Sequence, residues 1–304
     1  MKRYLVLGGG GYVGSRLAEA LVGKQSDSVF ITTRKKPHLA LPNIRQVDLF
    51  SYEETVALFE EVRPTDVFHC AGSVHFGNST AYEFVRLASN VIAAIAATSL
   101  SPRIVNLGSA AEYEPSSKAT YDEAMSLGGM SVYGVAKYLQ WRAISQLARL
   151  ANIEVMNARI FNILGPDMNR RFLPINIAHQ IASGTKTLEL GNLAACRDYV
   201  YIDDVIEALR MIMERGTPGE AYNVSSGIAT SVSELATKFA ATANVDLEVR
   251  TSRSLMREND HDIVLGRNKK ILEECGWRPR IEIKDAVELT YKSFATAEEE
   301  RRIV

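Results

Sequence analysis

The sequence predicts an α/β fold, in which a doubly wound parallel sheet is joined to a smaller, mixed α/β domain. Through the first half of the chain, short apolar runs alternate with amphipathic stretches, which is typical of parallel strands covered by helices on both faces. A glycine-rich turn separates the first apolar run from the first amphipathic stretch. The length of 304 residues suits one composite unit or two closely joined domains.

Six apolar runs are expected to form the large sheet, since each has the length of a buried strand. They are residues 3–7, 29–33, 44–47, 66–70, 103–107 and 153–159. The expected helices of this half are 15–22, 52–62, 84–99 and 133–150. The regularity loosens after Gly165 and Pro166. We therefore assign 1–162 plus 197–225 to the sheet domain, and 163–196 plus 226–304 to the smaller domain.

Composition and charge exclude several classes of protein. Hydrophobic residues make up 46% of the chain and charged residues 23%, as in ordinary globular proteins. The formal net charge of -1 cannot hold nucleic acid or an anionic membrane by bulk attraction, so neither is an expected partner. The three cysteines lack any CxxC pair, which predicts no disulfide framework and no metal site. Because the first apolar run is too short for a signal peptide or a membrane span, we expect a cytoplasmic protein.

Glycines at positions 8, 11 and 14 follow the first predicted strand and precede the first predicted helix. In this context Gly8 permits a tight turn, Gly11 lets the backbone approach a pyrophosphate, and Gly14 lets the helix pack on the strand. Tyr12 and Val13 then open the helix, whose N-terminus points toward the anion. The spacing predicts a Rossmann-type site for a dinucleotide, whereas the same glycines without this context would indicate only a tight turn.

The end of the second predicted strand bears on the choice between NADP and NAD. An acidic residue there would bond the adenosine ribose, but the sequence has Thr33 and Arg34 followed by Lys35. Arg34 could clamp a 2′-phosphate, with Lys35 in reserve, which favours NADP and leaves NAD possible. The alternative is that this basic run is a solvated loop.

Two further segments are expected to line the cofactor site. Asp48 and Leu49 follow the third predicted strand and could meet the adenine, although an acid at that point could equally cap a loop or helix. Cys70, Ala71 and Gly72 end the fourth predicted strand, and their small size leaves room for the cofactor along the sheet.

Tyr133 and Lys137 are four residues apart in the long predicted helix, which puts the phenol and the ammonium on one face. A lysine cation beside a tyrosine is expected to lower the pKa of the phenol, making it a usable general acid or base. Ser109 ends the fifth predicted strand, at the edge where such sheets bind ligands, and could bond the same substrate oxygen. The alternatives are an exposed helix pair for Tyr133 and Lys137, and a strand-end cap for Ser109.

Together these residues resemble the extended short-chain dehydrogenase/reductase family, in its NAD-dependent epimerase/dehydratase branch. The resemblance runs along nearly the whole chain and rests on several ordered motifs. They are the glycine turn at 8–14, then 69–72, 90–91, Ser109 with Glu112 and Tyr113, 133–137, 159–162, 165–166, 197–199, 222–224, 257–260 and 275–279.

The resemblance implies roles for particular residues. Ser109, Tyr133 and Lys137 would be the catalytic triad of an enzyme that acts on a nucleotide sugar. Asn162, Arg197 and Arg257 would contact the nucleoside diphosphate of that substrate, for which arginine is a suitable bidentate donor. Members of the family usually form homodimers through helices that correspond here to 84–99 and 131–150.

Within the branch, dehydratases carry an Asp-Glu pair directly after the serine or threonine, where this chain has Ala110 and Ala111. The chain looks most like reductases of GDP-4-keto-6-deoxymannose, which use NADPH. A 4-ketoreductase is therefore the first hypothesis, with a nucleotide-sugar 4-epimerase that retains NAD as the alternative. A non-catalytic dinucleotide-binding regulator is a third hypothesis. Gly108 departs from the family, which usually has a second hydroxyl residue at this position.

Overall fold

The computed structural model describes residues 2–25, 28–34, 41, 43–72, 80–129, 131–256 and 262–303. The predicted α/β fold is confirmed, because a seven-stranded parallel sheet is packed between helices. All six predicted strands belong to this sheet, and a seventh follows residue 220. In chain order its strands are β1 (Tyr4–Leu7), β2 (Val29–Thr33), β3 (Ile44–Gln46), β4 (Asp66–His69), β5 (Arg103–Ser109), β7 (Val155–Ile160) and β11 (Ala221–Val224).

The spatial order of the large sheet is β11-β7-β5-β4-β1-β2-β3. The chain therefore runs outward from β1 in one direction through β2 and β3, and then in the other direction through β4, β5, β7 and β11. Such a reversal of strand order creates a crevice at the carboxyl ends of the central strands, where doubly wound folds bind ligands. The ends of β1, β4 and β5 lie at this crevice.

Helices cover both faces of the sheet because successive strand residues point to opposite sides. Leu5 of β1 belongs to the core beneath one helical layer, and Val6 belongs to the core beneath the other. The first layer contains α2 (Tyr52–Val62), α3 (Thr80–Ala97) and α4 (Val132–Leu150). The second layer contains α1 (Tyr12–Gln25) and α6 (Ile202–Arg215).

A second region is built on shorter strands and a further set of helices. The strands are β6 (Thr120–Tyr121), β8 (Asn162–Leu164), β9 (Thr187–Leu190), β10 (Cys196–Tyr201), β12 (Ala229–Ser231), β13 (Glu248–Thr251) and β14 (Ile263–Gly266). One mixed sheet has the order β12-β10-β14-β6, with β8 paired to β10, and a separate ribbon joins β13 to β9. The helices are α5 (Leu173–Ala182), α7 (Val232–Ala243), α8 (Lys269–Cys275) and α9 (Ile283–Ile303).

The segment predicted to return to the large sheet does so only in part. Its helix α6 and strand β11 pack on and extend that sheet, but β10 pairs with β8, β12 and β14 in the mixed sheet. Asp198 explains this placement, because its buried carboxylate accepts hydrogen bonds from the backbone amides of Ser226, Gly227 and Gly266. The division of the chain into two domains at the stated residues stays a prediction.

None of the helices in the described ranges combines the length and apolar character needed to cross a membrane.

Candidate active site

The glycine turn after β1 has the shape expected of a pyrophosphate site. Gly8 has a φ of +81°, in the left-handed region, and a Cβ atom there would lie 2.7 Å from the backbone of Ala71. A Cβ atom on Gly14 would lie 2.5 Å from the carbonyl oxygen of Gly8. Only glycine fits at these two points, so the backbone stays open to a ligand at the start of α1. The predicted dinucleotide therefore fits the residues that are present.

The other predicted residues of this turn lie beside it. The amide of Gly11 donates to the carbonyl of Gly8 at 3.0 Å, and Tyr12 and Val13 form the first turn of α1. Thr32 was not identified from the sequence as a residue of this site. Its hydroxyl accepts the Gly8 amide at 3.0 Å, and its carbonyl accepts the Gly9 amide at 2.9 Å. A threonine inside a strand is common, so its sequence context gives no sign of this contact.

A cavity of about 560 Å³ lies beyond the end of β2, on the side where the adenosine of a dinucleotide is expected. Arg34 is exposed and lines this cavity together with Asp48, while Thr33 and Leu49 are buried next to it. The carboxylate of Asp48 accepts the backbone amide of Phe50 at 3.1 Å, which is the loop-capping role that the sequence left open. Lys35 lies outside the described residues.

The predicted small residues after β4 border the same crevice. The amide of Cys70 donates to the carbonyl of Leu7 at 2.9 Å, which aligns the ends of β4 and β1. Gly72 faces the ring of Phe84, from which a Cβ atom would be only 2.9 Å away. Burial raises the pKa of the Cys70 thiol to about 12, so this thiol stays protonated and behaves as an apolar group.

Ser109 and Tyr133 meet at the carboxyl end of β5. Ser109 is the last residue of that strand, and Tyr133 lies in the first turn of α4, whose N-cap Ser131 accepts the amide of Gly134 at 3.1 Å. The Ser109 hydroxyl lies within hydrogen-bonding reach of the Tyr133 phenol. Burial raises the pKa of Tyr133 to about 12, and the bond from Ser109 opposes that rise.

The expected effect of Lys137 on Tyr133 is wrong in this structure. The Lys137 ammonium donates to the carbonyl of Leu107 at 2.6 Å and to the side chain of Gln140 at 3.0 Å instead of stabilising a phenolate. Burial of the phenol therefore dominates, and its pKa is raised rather than lowered. Burial also lowers the pKa of Lys137 to about 8, against the attraction of Glu112. At neutral pH the site thus contains a protonated phenol and a lysine close to its titration range.

Phe84 is a second residue that sequence reasoning missed. Its ring stands edge-on to the ring of Tyr133, with centroids 6.3 Å apart, and the Lys137 ammonium lies 5.0 Å from its centroid. The contact with the ammonium is a cation–π interaction, which helps to hold the lysine in a buried position. Phe84 belongs to the apolar face of α3, and that pattern alone indicates only a core residue.

The residues predicted to bind the substrate lie on the neighbouring strands. Ser109 pairs with Ile160 in the large sheet, and Asn162 follows two residues later at the start of β8. The Asn162 side chain donates to the carbonyl of Asp198 at 3.1 Å, so it lies next to Arg197 in β10. The structure therefore brings Asn162 and Arg197 together near the edge that carries Ser109. Arg257 lies outside the described residues.

This geometry defines a class of site. A serine hydroxyl, a protonated phenol and a buried ammonium converge at one sheet edge, beside a turn shaped for a pyrophosphate. Such groups can bond and protonate a carbonyl oxygen next to a nicotinamide.

Comparison with known proteins identifies the family. Residues 4–225 match the model of the NAD dependent epimerase/dehydratase family. The chain belongs to this family, whose members are NAD(P)-dependent enzymes of nucleotide-sugar metabolism. The predicted family, the enzyme class and the nicotinamide cofactor are thereby confirmed.

Several relatives match over almost their entire length. GDP-6-deoxy-D-mannose reductase of Pseudomonas aeruginosa is 26% identical over 299 residues, covering 94% of this chain and 95% of that protein. GDP-6-deoxy-D-talose 4-dehydrogenase of Aggregatibacter actinomycetemcomitans is 22% identical, covering 90% and 91%.

Among solved structures, RMD from Pseudomonas aeruginosa complexed with NADPH has a TM-score of 0.84 at 24% identity, covering 97% of this chain and 100% of that one. UDP-glucose 4-epimerase from Thermotoga maritima with UDP-glucose has a TM-score of 0.89 at 21% identity, covering 97% and 99%. Both likenesses concern the fold.

Proposed function

We propose that the protein is an NAD(P)H-dependent 4-ketoreductase acting on a nucleotide-activated 4-keto-6-deoxy sugar similar to GDP-4-keto-6-deoxymannose. The observation that carries this proposal is the position of the Ser109 hydroxyl, at the end of β5, within reach of a buried Tyr133 phenol whose pKa is raised to about 12. Reduction of a ketone needs a proton donor at the new alkoxide, and this phenol holds its proton throughout the neutral range. The match to GDP-6-deoxy-D-mannose reductase agrees with this substrate class.

Each residue of the proposed triad has a separate task. Ser109 bonds the sugar C4 oxygen and orients it, and Tyr133 delivers its proton to that oxygen as the carbonyl is reduced. Lys137 would hold the ribose of the cofactor, and its positive charge favours release of the proton from Tyr133 as the alkoxide forms. A bound reduced nicotinamide supplies the hydride for the sugar C4, and the Gly8–Gly14 turn would hold its pyrophosphate.

The residues after Ser109 argue against dehydration. Elimination of water needs an acid and a base close to the sugar, but Ala110 and Ala111 occupy the first positions of the turn after Ser109. The nearest acid in the sequence, Glu112, is fully buried and paired with Arg159 at 3.1 Å, so it is not available to substrate.

NADP is the proposed cofactor form, with NAD as the alternative. Arg34 is exposed at the end of β2 and lines the cavity beyond it, where it could form charge-assisted bonds with a 2′-phosphate. We propose that the nucleoside diphosphate of the substrate is bound by Asn162, Arg197 and Arg257. The guanidinium of an arginine can donate two parallel hydrogen bonds to one phosphate group.

We further propose a cytoplasmic homodimer whose contact is formed by α3 and α4. Val132, Leu139 and Leu150 are exposed on α4 at spacings that put them on one face. Replacing Leu139 and Leu150 by Glu should convert a dimer into a monomer in sedimentation equilibrium. A wild-type protein that sediments as a monomer would refute the dimer.

The test of the proposed function is incubation with NADPH and a panel of nucleotide-activated 4-keto-6-deoxy sugars. A ketoreductase oxidises one NADPH for each sugar reduced, and absorbance of the reduced nicotinamide falls. An epimerase would interconvert sugars with cofactor retained through purification and no net change in that absorbance. A non-catalytic regulator would bind the cofactor and leave every sugar unchanged.

A further inference from the structure

A layer of polar side chains is buried between the large sheet and α4, where a core is ordinarily apolar. The amide of Asn106 on β5 donates to Asn157 on β7 at 2.7 Å, and Asn157 donates to Glu112 at 2.9 Å. All three side chains are fully buried. The layer therefore links the middle of the sheet to the short turn that follows Ser109.

Glu112 is the last residue of this polar layer, and it contacts Ser109. One carboxylate oxygen, Oε1, accepts the backbone amide of Ser109 at 2.8 Å. The Ser109 hydroxyl in turn accepts the amide of Ala111 at 3.2 Å, which completes a capping box around a single turn of 3-10 helix. Two bonds thus fix the backbone and the side chain of Ser109 on the side from which its hydroxyl reaches Tyr133.

The Glu112 carboxylate fits beside residue 108 only because that residue is a glycine. A Cβ atom on Gly108 would lie 2.5 Å from Oε1 of Glu112 and 2.6 Å from Oδ1 of Asn157. Both distances are far shorter than any stable contact, so a larger residue would displace the carboxylate from Ser109. The contact between Glu112 and Ser109 consequently depends on glycine at position 108.

The second carboxylate oxygen belongs to a different set of contacts. Oε2 accepts Asn157 and the Arg159 guanidinium, and Arg159 also donates to the Tyr113 hydroxyl at 3.1 Å. Tyr113 donates to Asn223 at 2.6 Å. This half of the network stabilises the fold without touching Ser109, which makes it possible to separate a structural role of Glu112 from a role in the reaction.

We propose that Glu112 is a positioning residue for the reaction. Its carboxylate occupies the space beside Gly108 and keeps the Ser109 hydroxyl within hydrogen-bonding reach of Tyr133. This inference rests on the proposed catalytic role of Ser109. A buried ion pair such as Glu112–Arg159 contributes little net stability over apolar residues. The Ser109 amide donates to Oε1, whereas the ion pair with Arg159 uses only Oε2. The bond to Ser109 therefore indicates a role for the carboxylate beyond the ion pair.

The first test compares two isosteric variants, Glu112→Gln and Tyr113→Phe. Each disturbs the same buried network, but only the first acts on the group that holds Ser109. A carboxamide has a single acceptor oxygen, which cannot serve both the Ser109 amide and the Asn157 and Arg159 donors. Glu112→Gln should lower kcat roughly 10–100-fold, with the KM for the sugar and NADPH affinity nearly unchanged. Tyr113→Phe should lower the melting temperature yet leave kcat close to that of the wild type. Equal kcat losses in the two variants would overturn the positioning role.

A double-mutant cycle provides the second test, and its other member, Gly108→Ala, removes no charge. Gly108→Ala should reduce kcat by displacing the Glu112 carboxylate, although it removes no polar group from the network. Combined with Glu112→Gln, it should cost little more than either change alone, because both act through one contact. Additive losses in kcat would contradict the coupling of Gly108 to Glu112.

Ser109→Ala distinguishes this inference from the proposed function beneath it. Full turnover in that variant, or a wild-type protein that reduces none of the sugars, would remove the proposed function and the positioning role together. An inactive Ser109→Ala with an unimpaired Glu112→Gln would remove only the positioning role.

Discussion

The hydroxyl groups of Ser109 and Tyr133 lie within hydrogen-bonding reach of each other, although Ser109 ends a strand of the large sheet and Tyr133 lies in the first turn of a helix. Burial makes the phenol a weaker acid than free tyrosine, and the serine moderates that effect. In ketone reduction a phenol of this kind can give up its proton as negative charge develops on the neighbouring oxygen. The following expectations depend on this pair and its surroundings.

Tyr133→Phe should reduce turnover by about 100-fold or more, because it removes the proton donor and leaves the ring. NADPH affinity, measured by fluorescence titration, should stay nearly unchanged. Tyr138→Phe is the matched control, since Tyr138 lies farther along the same helix, and it should retain wild-type turnover. Undiminished turnover in Tyr133→Phe would exclude the phenol as the proton donor.

Arg34→Ala should weaken NADPH binding about 10–100-fold, with little effect on NADH, since loss of a charge-assisted bond to the 2′-phosphate costs roughly 1.5–3 kcal/mol. Dissociation constants for both cofactors test this directly. Arg45→Ala serves as the control, because its guanidinium is engaged with Glu61 at 2.7 Å. If the two cofactors were weakened equally, Arg34 would not select between them.

The reduction rate should fall as pH rises through about 8, where Lys137 loses its proton. The sign follows from the lowered pKa of Lys137, since the ammonium is present below that value and neutral above it. The measurement is kcat/KM for keto-sugar reduction across the range. In Lys137→Arg the guanidinium keeps its charge above about pH 8, so the decline in kcat/KM should move to higher pH. This shift is expected even if the variant is slower than the wild type at every pH. An identical decline in both enzymes would assign it to another group.

His69 should make the protein sensitive to acid. Burial lowers the pKa of His69 from 6.5 to about 4, and the Lys137 charge acts in the same direction. The unfolded chain therefore takes up a proton before the folded protein does, and stability present above about pH 6.5 is lost as pH falls toward 4. The contribution of this one group is about 3 kcal/mol.

Urea unfolding of the wild type and of His69→Asn, at neutral pH and near pH 4, measures this contribution. The asparagine cannot titrate, so the variant should lose about 3 kcal/mol less than the wild type between the two conditions. Parallel losses in the two proteins would show that His69 has no part in the acid sensitivity.

The sequence predicted the large sheet and the two main groups of the site because each is encoded locally. The strand at 103–107 is an apolar run, and Tyr133 and Lys137 are brought to one helix face by spacing alone. Gly8 and Gly14 are informative because a close backbone approach admits no other residue. All of these features can be recognised within a short window of the chain.

Other features depend on contacts between distant segments. Strand β10 ends in the apolar run 199–201, yet the Asp198 carboxylate within it accepts hydrogen bonds from Ser226 and from Gly266 in β14, which lie far along the chain. The pKa of Tyr133 was predicted with the wrong sign because burial of the phenol, and the contact of Lys137 with the carbonyl of Leu107, arise only when α4 packs on the sheet. Burial of this kind has no signature in residue spacing.

The most direct test of the proposed reaction is transfer of deuterium from NADPH labelled at the nicotinamide C4 to a nucleotide-activated 4-keto-6-deoxy sugar, followed by mass spectrometry of the product. The wild-type enzyme should place one deuterium on the sugar C4 for each cofactor oxidised, and Tyr133→Phe should bind the labelled cofactor and form almost no product. A product without deuterium at C4, or equal product formation by Tyr133→Phe, would contradict hydride transfer assisted by the Ser109–Tyr133 pair.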